Sequence, residues 1–118
     1  MTREEVGKRY QIPVKILKEY ESFGLSAAVK KEAGEGQYDD QDIESLGMLM
    51  TLHDIGFGKR EVEDYMRLMQ EGEKTQPQRL AMLNHRRGRT LDEIHIREKQ
   101  IEHMDYLRYE MQQDKTDG

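Results

Sequence analysis

The chain has 118 residues, of which 35% are hydrophobic and 36% charged, with a formal net charge of −5 and no cysteine. That length allows one small domain, or one small domain plus an extension, and so hydrophilic a balance argues against a compact core built from the whole chain. Disulfides and thiolate metal sites are excluded, and no apolar run approaches the ~20 residues of a membrane span or the core of a signal peptide, so a cytoplasmic protein is expected.

The first predicted helix starts at Thr2, which stands at capping-box spacing from Glu5; Val6 supplies its apolar contact, and Gly7 is expected to let a second helix approach closely. That second helix occupies the stretch Ile12–Leu25. Pro13 suits a first helical turn and Gly24 the left-handed position just past the end. Val14, Leu17 and Phe23 with Leu25 are expected to point inward, leaving Lys15, Lys18 and Tyr20 facing out. Two short helices joined by the tight Tyr10-Gln11-Ile12 connection make a helix-turn-helix, whose second member would lie in a DNA major groove.

Ala27–Lys31 has strand-like length, Gly34-Glu35-Gly36 is a turn and Gln37-Tyr38 a short return strand, together a small β-hairpin wing. Up to this point seven Lys/Arg stand against six Asp/Glu; over residues 39–72 the balance is three against nine, so the acidity lies away from the proposed reading helix. Asp39, Asp40 and Asp42 supply the cap and first-turn charge of a third helix, with Ile43, Leu46, Leu49 or Met50, and His53 on its apolar face. After Gly56-Phe57-Gly58 a fourth helix runs from about Lys59 to Gln70, presenting Val62, Tyr65, Met66 and Met69, and Gly72 stops it. From Pro77 to about Gln112 there is no proline and one glycine, Gly88, which predicts a helix roughly 50 Å long at ~1.5 Å per residue. A heptad-like row of Leu80, Leu83, Arg87, Thr90, Ile94, Arg97, Ile101, Met104, Arg108 and Met111, widened by Leu91 and Leu107, predicts an imperfect seam. Alone, such a helix buries almost nothing. Pairing with a second, antiparallel copy is the simplest remedy.

The order of elements and several residues resemble the MerR family of bacterial transcriptional regulators. The pattern runs without a gap from about Thr2 to Met69: Glu5-Val6, Val14-Lys-Ile-Leu-Lys-Glu-Tyr-Glu21, Gly24-Leu25, Gly34 in the wing, Tyr38 before Asp39-Asp-Gln-Asp-Ile43, and Leu52-His-Asp-Ile-Gly-Phe57. The resemblance implies a dimer, held by a long antiparallel coiled coil, that places two winged helices on a pseudo-palindromic promoter and distorts it, changing how RNA polymerase reads it. It implies that Lys15 and Lys18, at the family's recognition-helix arginine positions, contact DNA, that Tyr20 lies near the DNA backbone, and that Lys30 is a basic wing residue. Lys31 beside it and the Tyr38 hydroxyl join these as candidate phosphate contacts. Lysine lacks the planar two-pronged contact arginine makes to guanine, so phosphate contact is expected over base readout. The sequence departs from the family pattern at Glu35, Gly36 and Gln37, where an aromatic-arginine-aromatic run is usual, and at Glu19, which replaces an aromatic. Weaker or differently specified DNA binding is expected.

The four histidines, His53, His85, His95 and His103, lack a metal-ligand spacing, so no metal or other cofactor is expected. The eight methionines suit core filling and an adaptable interface, and Arg86-Arg87-Gly88-Arg89 suits a solvated patch pairing with Asp92 and Glu93. No nucleophile, phosphate loop or convergent carboxylate pair points to an enzyme. The fold expected is mainly α: a winged helix-turn-helix domain over 1–72, a dimerisation coiled-coil helix over 76–113 and a disordered tail over 114–118. The dimer seam is assigned to Leu80, Leu83, Leu91, Ile94, Ile101, Met104 and Met111. The partners expected are double-stranded DNA, a second copy and RNA polymerase at the promoter. A protein-interaction module of the same fold that has lost specific DNA binding is the rival.

Overall fold

The structure is a computed structural model that describes residues 1–26 and 37–117. Its elements in chain order are α1 (Arg3–Tyr10), α2 (Val14–Phe23), α3 (Asp40–Asp54), α4 (Lys59–Gln70), a 3-10 turn (Glu73–Thr75) and α5 (Gln76–Asp117). The chain divides into two compact units, 1–82 and 83 onward. Among the described residues no helix is long and apolar enough to cross a membrane.

The helix starts follow from side chains that satisfy otherwise unpaired backbone N–H groups. The Thr2 hydroxyl accepts from the Glu5 N–H while the Glu5 carboxylate accepts from the Thr2 N–H, closing the box expected of α1. Asp39 and Asp42 make the same reciprocal pair at α3, at 2.9 and 3.0 Å. The stops are equally local. Gln11 ends α1 in the left-handed region at φ 53°, and Gly24 ends α2 at φ 66°, a conformation that costs glycine little. Gly7 proves less necessary than expected: a Cβ there would lie 3.5 Å from the Ile12 carbonyl oxygen and from Leu17 Cδ1, an ordinary contact.

Packing in the first unit joins α1 to α2, α2 to α3 and α3 to α4. Its core is Val6, Ile12, Leu17, Tyr20, Phe23, Tyr38, Leu46, Leu49, Leu52, Phe57, Val62, Tyr65 and Met66, all buried. Each fully buried leucine among them stabilises the unit by about 1.5–3 kcal/mol relative to exposure. Two expectations about facing are corrected. Val14 is 57% exposed, because it opens α2 on a side turned away from Tyr20 and Phe23. In α3 the buried row is Asp42, Leu46, Leu49 and Leu52, while Ile43, Met50 and His53 are half-buried. The helix is turned so that Asp42 can meet Tyr20.

Side chains fasten α4 to the end of α2: Arg67 donates to the Phe23 carbonyl at 3.0 Å and Gln70 to the Leu25 carbonyl at 2.6 Å. After Gly72, at φ 90°, the Thr75 hydroxyl donates to the Leu68 carbonyl, and Arg79 donates to Thr75 Oγ1 and lies over the Tyr65 ring. These contacts fix where the last helix begins. It runs 42 residues, to Asp117, past the Gln112 end expected and through the segment 114–117 expected as a disordered tail. At ~1.5 Å per residue its length is about 63 Å.

The hairpin Ala27–Lys31 and Gly34–Gly36, with Lys30 and Lys31, lies outside the described residues. Gln37 and Tyr38 are described and adopt no strand. Instead Tyr38 pairs with the chain start, its N–H donating to the Met1 carbonyl at 2.6 Å and the Met1 ammonium donating to the Tyr38 carbonyl at 2.9 Å.

Candidate nucleic-acid interface

Successive residues of a helix step round its axis by about 100°, so Val14, Lys18, Ser22 and Lys15 fall within about one quarter-turn of α2. All four are exposed. The opposite side carries the buried Leu17, Tyr20 and Phe23, which anchor the helix to its neighbours. The result is a ten-residue helix with one solvent-facing stripe bearing two lysines. Among the described residues neither Lys15 nor Lys18 makes an ion pair.

An acidic residue borders this stripe on each side, and neither carboxylate is left to face outward. Glu21 is gripped by Arg3 from α1, Nε to Oε2 at 2.9 Å and Nη2 to Oε1 at 2.6 Å, and accepts the Tyr38 hydroxyl at 2.7 Å. Burial by itself would raise the Glu21 pKa; hydrogen bonds from Arg3 and Tyr38 and the guanidinium charge outweigh it and hold the carboxyl below its ordinary value. The same contacts raise the Arg3 pKa, chiefly through the hydrogen bond to Glu21. On the other border Glu19, whose side chain is 9% exposed, meets His53 of α3: His53 Nε2 lies 2.9 and 3.0 Å from its two oxygens. The carboxylate only accepts, so that ring nitrogen carries the hydrogen between them.

Two of the candidate contacts belong instead to the core. Tyr20 is 3% exposed and its hydroxyl donates to Asp42 Oδ1 at 2.6 Å, so that hydroxyl is committed within the fold and not turned to solvent. Burial, followed by the hydrogen bond to Asp42, pushes the Tyr20 pKa up. Tyr38 is likewise 3% exposed, with its hydroxyl committed to Glu21 and its ring 6.2 Å from that of Tyr20. Burial and Glu21 push its pKa up too. Asp42 completes the cluster. Burial would raise its pKa, but the hydrogen bonds from Tyr20 and the Asp39 backbone prevail and lower it.

Arg3, Glu21, His53 and Asp42 escape a sequence reading because their pairings span 18 to 34 positions and join residues of different helices, and no local motif announces them. The one signal available in the sequence is the helical spacing of Lys15 to Glu19 and of Lys18 to Glu21. Other exposed cations lie at the ends of neighbouring elements: Lys8 and Arg9 close α1, and Lys59 and Arg60 open α4 a few residues beyond His53.

Among the described residues no group of three or more His, Asp or Glu is placed to hold a metal. In the second unit the seam candidates Leu91, Ile94, Ile101, Met104 and Met111 stand 41 to 68% exposed on the single chain. Leu80, on the first unit's part of α5, is 56% exposed, and Leu83 is half-buried. Arg86 departs from the solvated patch expected: it is buried and bonds Thr90 and, at 2.7 Å, Glu93.

Residues 1–69 match the family profile described as MerR HTH family regulatory protein. A crystal structure assigned to a MerR family transcriptional regulator of Listeria monocytogenes superposes with a TM-score of 0.67 at 20% identity, covering 90% of this chain and 81% of that one. A MerR family transcriptional regulator of Bacillus thuringiensis superposes with a TM-score of 0.60 at 19% identity, covering 89% of this chain and 95% of that one. No curated protein matches the chain significantly.

Proposed function

Because this chain belongs to the MerR HTH family of regulatory proteins, we propose that it is a transcriptional regulator that binds double-stranded DNA as a homodimer. In this mechanism α2 of each protomer enters a major groove, Lys15 and Lys18 neutralise phosphates, and Lys30 and Lys31 add contacts from the connection after α2. The row Leu80, Leu83, Leu91, Ile94, Ile101, Met104 and Met111 joins two antiparallel α5 helices. Two groove-bound helices then distort the duplex of a pseudo-palindromic promoter and alter its reading by RNA polymerase.

The observation that carries this function is the exposed stripe of α2, whose two lysines make no salt bridge among the described residues, although the Lys18 charge is felt by Glu21, while both bordering carboxylates are held by other elements. A net charge of −5 does not oppose it, since the excess acid lies in residues 39–72. That same acidic stretch favours the rival, a module that grips a protein through these helices.

Binding to a promoter duplex measured against salt separates the two. Each phosphate neutralised contributes about −0.9 to the slope of log K against log salt. Two lysines on each of two protomers predict a steep negative slope. A slope near zero for the dimer would favour the protein-binding module.

A further inference from the structure

Lys15 and Glu19 stand four residues apart on α2, and Lys18 and Glu21 three apart, the two spacings at which a helix brings side chains together. On an isolated helix each lysine would pair with its own carboxylate. In the fold both carboxylates have other partners, Arg3 and Tyr38 for Glu21 and His53 for Glu19. The Glu21 partners tie α1 and the chain before α3 to α2, so they serve the fold in any case. His53 is different. Its side chain is 31% exposed, it lies in the last turn of α3, and its Nε2 contact in the described structure is with the two oxygens of Glu19.

We propose that His53 is a positioning residue for DNA binding: by straddling both oxygens of Glu19 it keeps that carboxylate away from Lys15 and off the face the duplex approaches. The inference rests on the DNA-binding function proposed above and assigns it a residue that touches no nucleic acid. Two effects follow from one contact. Lys15 keeps its charge available for a phosphate, and a like charge is withdrawn from the path of the backbone. The side chain that replaces an aromatic of the family pattern is thereby made compatible with the same surface.

The test compares the full chain with H53A, H53Q and H53A/E19Q, using a mixed-sequence DNA duplex as the probe over a range of salt. H53A frees Glu19 to pair with Lys15, so affinity falls and the salt slope shrinks by about 0.9 for each Lys15 that no longer reaches a phosphate. H53Q retains an N–H donor at the matching position and binds like the parent protein. H53A/E19Q recovers the parent slope, which a mere drop in stability would not do. A nuclear Overhauser contact between the His53 ring and the Glu19 methylenes checks the pairing without DNA. Parental binding by H53A, failure of E19Q to restore the slope, or absence of that Overhauser signal overturns the proposal while the DNA-binding function stands. A parent protein with no salt-dependent binding removes both.

Discussion

At the scale of single residues, the buried hydroxyl of Tyr20 acts as a structural tie at a position where the sequence resemblance implies a DNA contact. Its bond to Asp42 joins α2 to the start of α3, and the Asp42 carboxylate in turn accepts the backbone N–H of Asp39, the residue that caps that helix. Removing the hydroxyl in Y20F leaves a buried carboxylate short of one donor, with an expected cost of about 1–3 kcal/mol in urea unfolding. The pH dependence has a definite sign. Asp42 and Glu21 both have folded pKa values below the ordinary carboxylate range, so the stability they contribute is complete above their unfolded pKa and is lost as pH falls through the folded values. Unfolding free energy measured from neutral pH downward should therefore drop on acidification below about pH 4. In Y20F that drop should be shallower, because one of the bonds that depresses the Asp42 pKa is gone. An equal drop in the two proteins would show that Asp42 owes nothing to Tyr20.

At the scale of the element, α2 is defined by which side it buries. L17A removes a side chain that is 1% exposed and is expected to cost about 2–5 kcal/mol, whereas V14S, at a position 57% exposed, should stay within about 0.5 kcal/mol of the parent. Thermal or urea unfolding of the two variants checks the facing directly. The starts of the first two helices and the stop of the second are legible from sequence because Pro13, Gly24 and the Thr2 and Glu5 pair act through covalent geometry and neighbouring N–H groups, although Pro13 stands as the cap before α2 and not within its first turn. The facing of α2 is less so. Over ten residues several apolar arcs fit equally well, and the pattern alone puts both Val14 and Tyr20 on the wrong side of the one that is buried. The rotation of α3 eludes the same pattern for a related reason: a buried aspartate is invisible to apolar periodicity until its tyrosine partner is known. The lysine pair can be read, while the histidine and arginine that hold its neighbouring carboxylates cannot, because only the packing of α1 and α3 against α2 brings them there.

At the scale of the whole molecule, the long α5 helix carries an apolar row that, Leu83 apart, the single chain leaves exposed, and helices of that kind draw little stability from propensity alone. A dimer at micromolar concentration is expected in sedimentation, and I101E, which sets a charge on the row, should sediment as a monomer without unfolding the helix-turn-helix unit. A parent protein that sediments as a monomer would contradict this assembly. Dimerisation and DNA binding are linked in this scheme, since two weak lysine-bearing faces act together only when one scaffold spaces them on a duplex. The most direct test is the affinity of the K15A/K18A variant for a promoter duplex beside that of the parent protein, at low and at moderate salt and with the dimer verified for both. Disappearance of most of the binding, with a salt slope reduced by about 0.9 for each phosphate no longer neutralised, is the predicted result; equal affinity for the two proteins would mean that the exposed face of α2 is not where the duplex binds.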